Sequence, residues 1–219
     1  MEYEHLSVAI ANGCAATVVP RWCAEILGNV ADGRHRLRAV VHPLGFTCLP
    51  VVREGGDGVC VHVWESARSP GRLTTSPVHA HSWDLVSYVL SGRLRNDLPH
   101  VVGAKFSGPD VWRVLEVRSS GDTDDIVPTA RLVHCESGES AQIIRDDVYT
   151  VPAGTFHESV SDPAEPAVTV VLASTVPDGM DLSLGSPGTV AHRVRRNRCS
   201  QAETAALARA IIEGHWRPT

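Results

Sequence analysis

The chain is poor in lysine: Lys105 is the only one among 20 basic side chains, the rest being arginine. That imbalance is a compositional habit of GC-rich genomes and carries no functional message. With 25 acidic residues the net charge is −5, and the charges are interspersed rather than run together. A basic footprint for nucleic acid or an acidic membrane surface is therefore missing. No apolar stretch approaches the roughly 20 residues that span a bilayer. The opening Met1-Glu2-Tyr3-Glu4-His5-Leu6 lacks the basic and apolar regions of a secretory signal, so the expected address is the cytoplasm. The six cysteines (14, 23, 48, 60, 135 and 199) include no Cys-x-x-Cys pair and no zinc-finger spacing. Most of them read as small buried apolar residues in a reducing compartment, not as a disulfide framework. Internal repeats, low-complexity tracts and a second domain such as a helix-turn-helix are also absent.

What remains is an ordinary globular composition, 43% hydrophobic and 21% charged over 219 residues, enough for one domain with a full core. Residues 1–38 read as a helical lead-in. Its one clear helix is Pro20–Leu27, with Pro20 in the first turn, Gly28-Asn29 near the end, and Trp22, Ile26 and Leu27 as the buried stripe. From residue 39 the texture changes to short β-rich runs. Candidate strands are Phe46–Arg53, Val59–Glu65, Pro77–Trp83, Leu85–Leu90, Val111–Arg118, Ala130–Cys135, Ser140–Ile144, Val148–Val151, His157–Ser161 and Val168–Ala173. Gly-, Asp- and Ser-rich separators divide them, and no strand-helix-strand unit intervenes, so residues 39–175 predict an all-β sandwich or barrel. Residues 176–219 form a C-terminal extension. It is irregular at first, then carries an arginine patch (193–198) that reads as solvated surface or a subunit contact in preference to an anion site. It closes with a helix over 200–214, announced by the capping box Ser200-Gln201-Ala202-Glu203.

Three histidines carry the chemistry. His79 and His81 are two residues apart on a predicted strand, so both imidazoles face one side. His157 follows the Pro152-Ala153-Gly154 turn and opens the next strand. Two ligands on one strand and a third on a neighbour supply three corners of a metal coordination sphere.

The two segments resemble the paired motifs of the cupin superfamily. The first runs from His79-Ala80-His81 through Asp84 and a strand to Gly92; the second runs from Asp147 through Val151-Pro152-Ala153-Gly154-Thr155-Phe156 to His157. The resemblance implies a cupin barrel, a double-stranded β-helix or jelly roll, with short N- and C-terminal helical extensions. It also implies a metal site at His79, His81 and His157. The acidic ligand usual in cupins falls on Leu85, and Asp84 stands one residue early. On a regular strand Asp84 faces away, so three histidines are the preferred sphere, with a displaced Asp84 the alternative. Such a three-histidine site is similar to those of cysteine dioxygenase-type thiol dioxygenases and of gentisate and diketone dioxygenases, which implies non-haem Fe(II) and an O2-dependent oxidation. Imidazole ligands suit Ni(II), Cu(II) or Zn(II) as well, and Zn, Ni or Mn would serve an oxygen-independent Lewis-acid reaction.

Around that site, strand parity puts Ser87 and Ser159 on the inward faces and gives Trp83 the parity of the two histidines, as pocket wall or as core. His62 alternates with Val59, Val61 and Val63. It is an internal acid–base group if the valines face outward, and a surface residue if they face the core. Arg53, or else Arg93 or Arg95, is a candidate anchor for a substrate carboxylate, and Tyr149 a candidate hydrogen-bond donor. The leading expectation is an Fe(II) oxygenase acting with O2 on a small polar metabolite, thiol- or amino-acid-like. The alternatives are an oxygen-independent lyase or isomerase, with Tyr149 or His62 as its base, and a non-catalytic small-ligand-binding cupin. The terminal extensions are the segments through which a homodimer would form.

Overall fold

The computed structural model describes residues 2–64, 73–105, 108–162 and 165–215. Two helices, α1 (Glu2–Ala11) and α2 (Ala15–Ala31), precede strands β1 (Val40–Val41), β2 (Thr47–Glu54) and β3 (Asp57–Trp64). Then follow β4 (His79–Ala80), β5 (Trp83–Ser91), β6 (Arg93–Gly103), β7 (Val111–Ser120), β8 (Thr123–Ile144), β9 (Val148–Val151), β10 (Glu158–Ser161) and β11 (Ala167–Thr175). The chain continues through β12 (Leu182–Gly185), β13 (His192–Arg195) and β14 (Asn197–Arg198) to α3 (Gln201–Ala210), which ends in a wider π turn, Ile211–His215. Among the described residues no helix is long and apolar enough to cross a membrane.

Among the described residues all strand pairings are antiparallel. One sheet has the order β14-β1-β2-β3-β11-β5-β9, the other β10-β6-β8-β7-β12-β4, with β13 beside β8. The chain passes between them at Gly92, the single residue separating β5 from β6. Gly92 has φ +72° and a Cβ there would meet the Pro166 carbonyl at 2.3 Å, so only glycine turns this corner.

The main apolar core lies outside the barrel. Val59, Val61 and Val63 of β3, Tyr88 and Leu90 of β5, and Val168, Val170 and Leu172 of β11 form one outward face. It is covered by Leu6 of α1, by Val19, Cys23 and Leu27 of α2, and by Leu207 and Ala208 of α3. The opposite parity of the same strands faces inward. This decides the two alternatives for β3: its valines are the outer layer, and Cys60, His62 and Trp64 look into the barrel.

Several elements differ from expectation. The predicted helix Pro20–Leu27 is part of α2, which starts at Ala15, so Pro20 lies inside it; α1 before it was not expected. An i, i+4 row of Ala15, Val19, Cys23 and Leu27 buries the helix face and overrides the missing N–H of Pro20. Trp22 and Ile26 only flank that row. Of the predicted strand Pro77–Trp83, only His79–Ala80 is strand, while Trp83 already belongs to β5. The runs Ala130–Cys135 and Ser140–Ile144 are one strand, β8, interrupted by a register shift opposite Pro99, which has no N–H to pair. Its partner β6 was not foreseen. Residues 174–199, expected to be irregular, hold three short strands, and β14 pairs with β1 to close the edge of the first sheet. The predicted strand end at Glu65 lies outside the described residues. The Ser200–Glu203 capping box is formed, and Arg209 donates to the Ala31 carbonyl at 2.6 Å, tying α3 to the end of α2.

Because Leu27 is fully buried between helix and sheet, Leu27→Ala is expected to cost about 2–5 kcal/mol. Urea unfolding measures this, and the refolded variant is expected to keep the metal stoichiometry of the parent.

Candidate metal centre

Backbone pairing sets the centre. His79 and His157 form an antiparallel bridge, with His79 N–H donating to the His157 carbonyl at 3.0 Å and His157 N–H donating back at 2.8 Å. Directly opposed residues share a face, so the two rings meet, 4.4 Å apart at their centroids. His81 joins them by its i+2 spacing, with centroid distances of 4.7 Å to His79 and 5.0 Å to His157. The approach to His157 is a turn in which Thr155 N–H donates to the Pro152 carbonyl at 3.1 Å, with Gly154 at φ +76°. That is a type II arrangement, which calls for glycine at this place. Phe156, one residue before His157, points the other way into a small apolar cluster with Ala80, Val114, Val133 and Leu184. It anchors the strand from which His157 projects.

The donor atoms suit a cation. His79 Nδ1 lies 2.8 Å from the Pro77 carbonyl and His157 Nδ1 lies 3.3 Å from that of Thr155. Each Nδ1 thus carries the proton and leaves the Nε2 lone pair free. His79 Nε2 and His81 Nε2 are 3.2 Å apart. Two metal-bound imidazole nitrogens at bond lengths of about 2.0–2.1 Å lie roughly 2.9–3.3 Å from each other. One ligand nitrogen from each of the three rings falls within a 4.8 Å span. Burial drives His79 down to about 4 and, helped by the charge of His79, His157 down to about 3. Burial, then His79 and His157, also holds His81 well below the usual imidazole range. All three are neutral ligands at physiological pH.

Asp84 is not in this sphere. It is exposed, and its Oδ1 accepts a hydrogen bond from Ala153 N–H at 2.8 Å. The early carboxylate braces the turn that aims His157 and supplies no charge to the centre. Trp83 stacks on His81 at 4.0 Å with the planes 22° apart. It also packs against Leu85, Val151 and Val171, so it is both ring support and core.

The imidazoles open into a cavity of about 910 Å³ that also takes in Arg53, His62, Trp83, Tyr149 and Ser159. Burial pushes the Tyr149 phenol up, with the nearby Ser87 and Ser159 hydroxyls opposing. Ser87 is on the inward face but fully buried beside Tyr149, outside the cavity lining, and its hydroxyl makes no hydrogen bond of ordinary geometry. Arg93 is on the surface, paired with Glu165 at 2.5 Å, and so is no substrate anchor. The arginine patch is solvated surface at Arg193, Arg195 and Arg198, and only Arg196 turns inward, with acidic partners along the patch. Arg193 binds Asp125, Arg198 binds Asp122, and Arg196 binds Asp124 at 2.6 Å and Ser119 at 2.7 Å while lining the cavity.

Sequence reasoning overlooked His42 and Cys48, and gave Cys60, which shares the strand face of His62, no role. His42 stacks face to face on Phe46, at 4.4 Å and 7°, and Phe46 stacks in turn on His62. Burial, then Arg196, His79 and His62, holds His42 well below its usual range. The Cys60 thiol is lowered, first by donation from Cys48 and then by His62 and Arg53, while Cys48 is raised by that same contact. The alternation of residues 59–64 was the signal for Cys60; Cys48 had none until β2 and β3 were paired.

The strand order and the three-imidazole cluster together decide the architecture. It is an antiparallel two-sheet β-barrel with the three imidazoles inside, the arrangement that the resemblance to the cupin motifs implies. No family model matches the chain, and no curated protein matches it. Among solved structures it is similar to the polyketide cyclase RemF from Streptomyces resistomycificus, at 16% identity over 67% of this chain and 82% of that one, TM-score 0.38. It is also similar to hydroquinone 1,2-dioxygenase PnpCD in complex with Cd2+ and 4-hydroxybenzonitrile, at 14% identity, 58% and 63% coverage and TM-score 0.32. A third is hydroquinone 1,2-dioxygenase from Sphingomonas sp. TTNP3 with 4-hydroxybenzoate bound, at 12% identity, 64% and 66% coverage and TM-score 0.33. These overlays are loose, and the chemistry of the site rests on its own geometry.

Metal analysis of protein purified without chelators distinguishes the ligands. His157→Ala is expected to lose the bound ion. Asp84→Ala is expected to keep it while losing about 1 kcal/mol of stability with the Ala153 hydrogen bond.

Proposed function

We propose that the protein is a metal-dependent cupin enzyme, a non-haem Fe(II) oxygenase that uses O2 to oxidise a small polar metabolite. The observation that carries this reading is the convergence of three neutral imidazole nitrogens, without a carboxylate, on one point of a 910 Å³ cavity. When bound there, a divalent ion would supply Lewis acidity and, as Fe(II), the electrons that activate oxygen. An all-neutral ligand set leaves its double charge uncompensated by protein. A substrate with an anionic donor, such as a thiolate or carboxylate, fits that deficit.

The chain's own residues position such a substrate. Arg53 lines the cavity, and its Nη2 donates to Cys60 Sγ at 3.4 Å; the exposed fork has further donors for a carboxylate. Tyr149, which burial favours in its protonated form, lines the cavity as a phenol available to donate to substrate, and Ser159, bonded to Asn96 at 3.1 Å, adds a fixed hydroxyl. Trp83 keeps the His81 ring in plane and walls the site. The cavity volume lies near the top of the range of about 300–1,000 Å³ usual for small-molecule sites, so there is room for substrates larger than a free amino acid.

After anaerobic reconstitution, turnover is expected to consume O2 in an iron-dependent manner and to vanish in His79→Ala. Full activity under strict anaerobiosis would instead identify a Lewis-acid lyase or isomerase. Stoichiometric ligand binding without turnover in either atmosphere would identify a binding protein.

A further inference from the structure

A second cluster of ligating side chains faces the same cavity from the opposite sheet. Cys60 and His62 occupy successive inward positions of β3, and register places Cys48 of β2 across from His62. The two sulfurs and an imidazole nitrogen of His62 lie within 4.8 Å of one another. Phe46 stacks on the His62 ring at 4.4 Å and holds it in place. None of these groups belongs to the three-imidazole centre, and inward-facing thiols in a polar cavity are not core filler.

Two neighbouring thiols can be joined or can share an ion. Joining them is disfavoured by register. Cys48 opposes His62, and Pro50 opposes Cys60, so the cysteines are diagonal neighbours. Diagonal positions lie about 7–8 Å apart, beyond the roughly 4.4–6.8 Å between Cα atoms that a disulfide spans. A shared ion asks for less movement. Donor atoms around tetrahedral zinc sit about 3.4–3.8 Å apart at bond lengths of about 2.0–2.3 Å, which side-chain rotation reaches from the present spacing. Two thiolates and an imidazole are a donor set for borderline and soft ions. Arg53, hydrogen-bonded to Cys60, offsets the second negative charge.

We propose that Cys48, Cys60 and His62 form a second metal site in the barrel, taking a borderline or soft ion such as Zn2+ and leaving its remaining position open to the cavity. The site is independent of the oxygenase reading and stands if that reading fails.

Co2+ added to the reduced, metal-free full chain tests it. Sulfur-ligated Co2+ has an intense near-ultraviolet charge-transfer band that histidine-ligated Co2+ lacks. The expected result is this band in the parent and in His79→Ala, its loss in Cys60→Ser and in Cys48→Ser, and displacement of the bound Co2+ by Zn2+. The weaker visible absorption from the three-imidazole centre should persist in the cysteine variants and report that they are folded. Absence of the sulfur band in the reduced parent would overturn the proposal. So would a band unchanged in both cysteine variants, which would place the ion on other thiols.

Discussion

Two hydrogen bonds between the main chains of residues 79 and 157 support everything else in the metal centre. They join strand segments that are far apart in sequence and put their side chains on one face at the spacing of a directly opposed pair. Without that bridge, His79 and His81 would be two rings on a short strand, and His157 a ring after a turn. The bridge depends on a second layer of small devices. Gly154 makes the turn, Asp84 holds it, and Phe156 keeps the strand from rotating. Trp83 fixes the remaining ring by stacking. Each of these acts on orientation, which is what separates three converging imidazoles from three buried histidines.

The barrel can hold polar chemistry because its stability is built elsewhere. The largest apolar cluster lies between the outer face of the first sheet and the three helices. Val59, Val61 and Val63 contribute to it, while their neighbours Cys60, His62 and Trp64 line the cavity. A strand with two buried faces usually reads as a continuous hydrophobic run. Here one face is apolar and the other reactive. The desolvation that keeps the histidines neutral is part of the same arrangement, since an interior that excludes water favours the uncharged ligand.

The β texture, the histidine triad and the helical ends were legible in the sequence because each is a local pattern. The i, i+2 histidines, the Pro-x-Gly turn and the capping box can all be read within a few residues. The misses are of another kind. Strand β6, with Asn96, Asp97 and Pro99 in its middle, has poor intrinsic β preference and exists because β8 and β10 pair with it on either side. Pro20 looked like a helix start because the tertiary gain from burying Val19, Cys23 and Leu27 is invisible locally. Asp84 and Arg93 have the right chemistry in nearly the right places, and only coordinates reveal that Ala153 and Glu165 already engage them. Cys48 and Cys60 became a pair only through the register of β2 with β3.

The alternation along β3 also has an evolutionary side. Adjacent codons there serve unrelated tasks, one holding the helices to the sheet and the next shaping what the barrel accommodates. Drift in reactivity can therefore proceed at every other position without eroding the scaffold. Among descendants of a common ancestor, divergence along this strand would rise and fall with a period of two.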